Sequence, residues 1–299
     1  MTWGEIAALT TSLLWALTSL LFTQATERVG SGIVNRSRLL LASLLLTVFH
    51  FLIFHTFLPV NAGWMRWFWL STSGIIGLVI GDAFLFQAFV LIGPRLSMLL
   101  MSLAPVIATI FSWLVLDERL SLVQLIAILI TVGGIAFVVG ERTEGSSQAA
   151  QPENKLPGIL LGIGAATGQA LGLITSKMGL AGDFPALSGN LIRVLVATSL
   201  LWLWTIIRGQ APVTVRILRD DRTALQYIAA GSVVGPFLGI WFSLMAVQYT
   251  EVGIASTLMG LAPIILLPLS RILLKEHISI KAILGTLVAM IGVGMLFLL

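Results

Sequence analysis

Cysteine is absent from the 299 residues, so the chain forms no disulfide and no thiolate metal site. Charge is scarce as well. Asp, Glu, Lys and Arg make up 10% of the chain, whereas a soluble globular protein carries about 25%. With 58% hydrophobic residues and a mean hydropathy of +1.03, the chain lacks the polar surface it would need to stay in water. No P-loop, zincin helix or nucleophile elbow is present, which leaves ATP-driven transport and intramembrane hydrolysis without their residues. His50, His55 and His277 have no partners at metal-ligand spacing. No enzymatic activity, metal or cofactor is therefore expected. No basic, aromatic-interleaved domain offers a surface to nucleic acid.

What the chain has instead is apolar runs near 20 residues, each long enough to cross a hydrocarbon core of about 30 Å as a helix. This is an all-α integral membrane protein, expected in the bacterial inner (plasma) membrane. The N-terminal MTWGEIAALTTSLLWALTSLLF has no basic leader and reads as a first span rather than a signal peptide. Hydropathy predicts ten spans, at 3–24, 33–54, 67–90, 95–116, 121–140, 158–178, 187–207, 225–249, 252–274 and 280–299. Residues 141–157, rich in Ser, Gln, Glu and Pro, have the composition of a polar linker between two units, 1–140 and 158–299.

The two units repeat one another. SLAPVIATIFSWLVLDERLS (102–121) aligns without a gap to GLAPIILLPLSRILLKEHIS (260–279), with eight of twenty positions identical. Pro105 meets Pro263 and Glu118 meets Glu276. At the same offset Gly77, Gly81, Phe84 and Met101 meet Gly235, Gly239, Phe242 and Met259. Further upstream Arg38 meets Arg193, and Trp15 falls opposite Gln169. Five helices per unit is an odd number, so the second unit enters the membrane from the opposite side. Inverted five-helix repeats are an architecture of alternating-access transporters, with the substrate held near the midplane between the repeats.

Several residues stand out within that pattern. Gly77/Gly81 and Gly235/Gly239 are matched GxxxG pairs, which allow close helix packing. Pro105 and Pro263 are read as mid-helix kinks or hinges, each freeing the carbonyl four residues back. Glu118 and Glu276 precede the next helix, where an acid complements the positive end of the dipole. Asp82 lies near the centre of span three, with Gln87 close by. An acid there costs about 2.5–3.5 kcal/mol and has to face a cavity or a cation. Arg38, Arg193 and Lys177 are its candidate partners. Three roles are open to it: proton coupling, contact with a substrate amine, or a structural ion pair.

Ten helices in two repeats, a Pro-bearing fourth helix ending in a short acidic turn, the paired LAP…E blocks at 103–118 and 261–276, and a Gly-rich fifth helix (TVGGIAFVVG, 131–140) resemble the EamA-type members of the drug/metabolite transporter superfamily. The resemblance spans nearly the whole chain. It implies a secondary transporter of a small organic metabolite, amino-acid or drug-like, with a cavity between the repeats. By position it nominates Trp15, Ser19, Thr23, Asp82, Gln87, Ser97, Met101, Gln169, Phe242, Ser256 and Met259 as cavity residues. A flippase for a lipid or other amphiphile is the alternative, favoured by the Trp- and Met-rich interior. The implied partners are the small-molecule substrate, membrane lipids and, as a candidate coupling ion, the proton. The sequence leaves monomer and homodimer open.

Loop charge sets orientation. Connections after odd-numbered spans, with their flanks, hold thirteen Lys and Arg residues against four on the other side. The richer side is expected in the cytoplasm, which places both termini outside. Members of the superfamily usually have cytoplasmic termini, so the direction of transport, import or export, stays open.

Overall fold

A computed structural model describes residues 2–101, 103–140, 152–262, 264–265 and 280–297, and every regular element among them is helical. The first half holds α1 (Trp3–Val29), α2 (Ser31–Phe54), α3 (Trp64–Ser73), α4 (Asp82–Met101), α5 (Ala104–Leu116) and α6 (Leu122–Gly140). The second holds α7 (Pro152–Leu180), α8 (Ala186–Ile207), α9 (Ala211–Asp220), α10 (Arg222–Ser232), α11 (Ile240–Tyr249), α12 (Val252–Met259) and α13 (Ile280–Phe297). Among the described residues six helical stretches are long and apolar enough to cross a membrane: Trp3–Val29, Ser31–Phe54, Trp64–Ala88, Leu156–Leu180, Ala186–Ile207 and Arg222–Tyr249. Ala104–Leu116, Leu122–Phe137 and Ile283–Met295 are shorter apolar helices. Exposed Leu, Ile, Phe and Met side chains on α2, α6 and α13 form the lipid-facing surface expected of such a bundle.

Local chemistry explains several boundaries. Thr2 and Glu5 form a capping box at the start of α1. Gly30, at φ 83, lets the chain leave α1 and enter α2 at once, a conformation costly for any residue with a Cβ. α9 carries Arg216 and Arg219 on a strongly amphipathic surface helix.

Two π-helical segments sit at matching places. Gly74–Gly81 joins α3 to α4, and Val233–Gly239 joins α10 to α11. Each contains one of the GxxxG pairs. π-bulges inside α-helices concentrate at functional sites, and Asp82 directly follows the first of them.

The backbone corrects one boundary. A break was expected between residues 90 and 95, but helix runs without interruption from Trp64 to Met101. The chain turns later, at Leu103, whose N–H bonds the Leu100 carbonyl at 3.0 Å. Pro105 then occupies the first turn of α5, where a missing N–H has no helical partner to lose. It begins a helix rather than kinking one. Its counterpart Pro263 lies outside the described residues, as does Glu276.

The two halves exchange partners. α2 packs on α8, α5 on α12, and α6 on α13, each helix meeting its own repeat mate. The first helix of each half packs against the third of the other: α7 along α3, π segment and α4, and α1 along α10, π segment and α11. Glycines set these approaches. A Cβ on Gly168 would stand 3.0 Å from Gly81 Cα, and one on Gly172 3.2 Å from Gly77 Cα. In the other half Gly231, Gly235 and Gly239 receive the side chains of Phe22, Thr18 and Trp15.

Candidate functional site

Asp82 projects from the junction of the first π segment with α4, and its carboxylate accepts a hydrogen bond from Arg38 of α2. The pair is mostly enclosed, at 17% and 13% side-chain exposure. Arg38 is held from several directions. Its Nε donates to Asn35 Oδ1 at 3.0 Å, and its guanidinium lies 5.6 Å from the Phe22 ring centroid and 5.5 Å from that of Phe86. Aromatic faces on a desolvated cation are each worth up to about 2 kcal/mol. Of the three cations proposed for Asp82, Arg38 is the direct partner.

Arg193 of α8 is a second cation in the field of Asp82. It is 4% exposed and stands over Gly77, where a Cβ would come within 3.5 Å of its Nη2. Its backbone crosses the π segment so closely that a Cβ on Gly74 would lie 2.5 Å from the Arg193 carbonyl oxygen. Among the described residues its Nε is buried without a hydrogen-bond partner. Lys177, the third candidate, is engaged elsewhere: its Nζ donates to Glu118 Oε1 at 2.5 Å and to the Thr250 carbonyl at 2.8 Å.

A second motif underlies this cluster. Asn35 and Arg38 are spaced NxxR, and Asn190 and Arg193 repeat that spacing at the same offset. Asn190 Nδ2 donates to the Pro236 and Phe237 carbonyls at 3.1 and 3.2 Å, serving backbone acceptors in the second π segment. Its Oδ1 is buried and unpaired among the described residues. The bond made by Asn35 and Arg38 is therefore not made by their counterparts.

The other nominated residues spread along the bundle. Trp15 packs over Gly239 on the second π segment, and Ser19 donates to the Ala16 carbonyl at 2.7 Å. The side chain of Thr23 is outside the described part. Gln87 is exposed on α4 and makes no hydrogen bond to Asp82 among the described residues. Ser97 is buried and Met101 half-buried at the far end of α4. Gln169 is half-buried on α7, beside Gly168. Phe242 is half-buried next to Trp241, with ring centroids 6.3 Å apart. Ser256 and Met259 are buried on α12, where Ser256 donates to the Gly253 carbonyl at 3.1 Å. Asp82 is thus joined to Arg38, while Trp15 meets Gly239 at the end of the second π segment and Phe242 stands on α11 beside Trp241.

Three features escaped the reading of the sequence. The NxxR repeat and the Gly168-x3-Gly172 pair are both visible as spacings once they are sought. The third is the partner of Glu118. Its carboxylate accepts the Val252 backbone N–H at 2.9 Å, capping α12 of the other half rather than the helix that follows it in sequence. His50 ties two helices: its Nδ1–H donates to the Thr56 carbonyl at 2.6 Å, and its Nε2 shares a hydrogen bond with Ser188 Oγ of α8 at 2.9 Å. No cluster of His, Asp and Glu suited to a metal occurs among the described residues.

Comparison with known proteins agrees with this architecture. A solved crystal structure superposes with a TM-score of 0.80 over 99% of this chain and 96% of its own, at 19% identity, which establishes the shared fold. No curated protein matches. The EamA-like transporter family matches twice, over residues 2–140 and 156–298, and so covers both halves. With its all-helical bundle and paired repeats, the chain belongs to the EamA-like transporter family, a group of membrane transporters in the drug/metabolite superfamily.

Proposed function

We propose that this protein is a secondary transporter that moves a small organic metabolite by alternating access. Its two repeats, 1–140 and 158–299, would lie inverted in the membrane as ten spans, joined by the 141–157 linker. The observation that carries this reading is the exchange of packing partners. Each half contributes the same set of contacts to the other, with a π segment at the same place in each. A pair of near-equivalent packings is what two interchangeable gates require. Asp82, paired with Arg38 inside the bundle, is the candidate coupling residue, and protons are the candidate coupling ion. The cavity in this reading is lined from α1, the α3–α4 helix, α5, α7, α11 and α12.

The test is solute exchange in proteoliposomes of the full chain. Vesicles preloaded with unlabelled amino acids or small carboxylates are expected to accumulate the matching labelled solute by counterflow. Movement of fluorescent lipids between leaflets, with no solute exchange across such a panel, would replace this reading with a flippase.

A further inference from the structure

Arg193 is the least explained polar group in the described part of the bundle. A guanidinium presents five donors and stays charged. This one is 4% exposed, with its Nε buried and unpaired. Beside it Asn190 Oδ1 is also buried and unpaired. Leaving such atoms unmatched in an apolar interior is costly, so each such group calls for an explanation. The repeat mate shows what satisfaction looks like: Arg38 has Asn35 on its Nε and the Asp82 carboxylate on its far end. Among the described residues no carboxylate forms an ion pair with Arg193 as Asp82 does with Arg38, and the position matching Asp82 is Ile240. Asp82 is the acid in whose field Arg193 lies. Among the described residues two guanidinium groups thus lie in the field of this one carboxylate, an excess of one positive charge.

We propose that this excess is the recognition element for an anionic solute: Arg193, together with Arg38, binds a carboxylate or phosphate group. This deepens the transporter reading above and rests on it. The planar fork of Arg matches both groups in a bidentate manner. A Cβ on Gly77 would lie 3.5 Å from Arg193 Nη2, which places the guanidinium against the first π segment. Asp82 acts as an internal stand-in for the ligand, holding Arg38 while the site is empty. A solute anion takes over the Arg193 guanidinium, whose Nε is unpaired among the described residues, and competes with Asp82 for Arg38. The substrate class is thereby narrowed to small organic anions or phosphate esters.

The experiment measures thermal unfolding of the full chain in phosphatidylcholine nanodiscs, titrated with sodium benzoate or inorganic phosphate against sodium chloride at equal ionic strength. Benzylammonium chloride serves as the cationic control. Benzoate or phosphate is expected to raise the unfolding temperature saturably, while benzylammonium does not. Arg193→Gln should raise the half-saturating concentration at least tenfold, and Arg193→Lys should fall between it and wild type. If Arg193→Gln does not fold, the Lys variant still decides. Asp82→Asn should lower the half-saturating concentration, because the internal competitor has lost its charge. Stabilisation by benzylammonium alone, or an anion response unchanged in both Arg193 variants, would overturn the proposal. Stabilisation only by phosphatidylglycerol, with no response to soluble anions, would overturn it too. Counterflow of neutral solutes without anion binding would sink this inference and leave the transporter reading standing. Anion binding without exchange of any solute would do the reverse.

Discussion

Glu118 and Lys177 meet at 2.5 Å across the boundary between the halves, and the same carboxylate caps Val252 at the start of α12. One acid thus ties together the ends of α5, α7 and α12. Lys177 adds a bond to the Thr250 carbonyl in the turn that leads into α12. In the transporter reading proposed above, this contact is the candidate closure of one end. Glu118→Gln keeps the shape but removes the charge, and a hydrogen bond to a charged group contributes about 1.5–3 kcal/mol. The expected result is a shift toward opening at this end. The chain has no native cysteine, so Ser256→Cys, a buried position on α12, reports it directly. A water-soluble maleimide should label that cysteine faster when Glu118→Gln is also present; an unchanged rate would show that the pair is not a gate.

Gly133 and Gly134 are adjacent on α6 and predict opposite outcomes. A Cβ on Gly134 would lie 2.5 Å from the Ala289 backbone nitrogen and 2.7 Å from the Gly285 carbonyl oxygen, whereas one on Gly133 meets nothing within 4 Å. Gly134→Ala forces α6 and α13 apart, and overpacking of this kind costs about 1–3 kcal/mol. Gly133→Ala should be neutral or mildly stabilising, since Ala is the better helix former by about 1 kcal/mol. Unfolding midpoints of the two variants in detergent decide the matter; equal losses would mean that the α6–α13 contact is not as drawn.

These contacts show what was legible in the sequence. Apolar period and the repeat marked the helices, and the GxxxG pairs marked close packing, because both are properties of spacing along one chain. The partners of those glycines were not legible: Gly77 and Gly81 meet Gly172 and Gly168 of the other half, while Gly235 and Gly239 meet Thr18 and Trp15. Asp82 stood out because an acid mid-span is costly wherever it points, and Arg38 was already among its candidates. The lack of a partner for Arg193 Nε among the described residues could not be read, since it depends on what lies across a helix interface. The α4 boundary was misplaced for a related reason. Gly93 and Pro94 signal a turn in water, whereas a membrane helix passes through such residues when its neighbours supply the missing contacts.

Acid should weaken the surface contact between α1 and α10. Asp221 accepts the Ala224 N–H at 2.9 Å as the cap of α10, and Arg28 Nε at 2.9 Å. The bond from Ala224, and after it the one from Arg28, holds this carboxyl below the usual carboxylate range. A pKa lower in the folded than in the unfolded state adds stability above the unfolded value of about 3.9, and that stability is lost as pH falls through the folded value. Asn also caps helices but does not titrate. The unfolding temperature of wild type is therefore expected to exceed that of Asp221→Asn at pH 7, with the gap closing toward pH 3. A gap independent of pH would place the contribution elsewhere.

Orientation has its own test. α13 runs antiparallel to α6, with Gly134 against Gly285 and Ala289, and Gly292 against Thr131. The C-terminal end of α13 therefore lies opposite the side from which the 141–157 linker departs. With thirteen basic residues set against four, the linker side is expected in the cytoplasm. Alkaline phosphatase fused after Leu299 should be active, and the same enzyme inserted within 141–157 should be inactive. The reverse pattern would show that the charge bias does not orient this chain.

Asp82 offers the sharpest test of coupling. Its carboxylate is held by Arg38 and lies within the field of Arg193, so any proton it takes up releases Arg38. If transport is driven by a proton gradient, protonation of Asp82 and engagement of Arg38 by the solute occur in the same cycle. Asp82→Asn keeps the size and one acceptor oxygen but abolishes titration. The halves still rock and the solute still binds, so counterflow exchange should persist. Accumulation driven by a pH gradient should fall to the level of empty vesicles. Arg38→Gln should instead reduce exchange and accumulation together, because it removes a binding cation and strands the acid. The two variants thus separate coupling from binding within one ion pair. If Asp82→Asn left gradient-driven accumulation near wild type and only lowered the unfolding temperature, the pair would be structural. No other acid among the described residues lies deep enough in a helix to take its place.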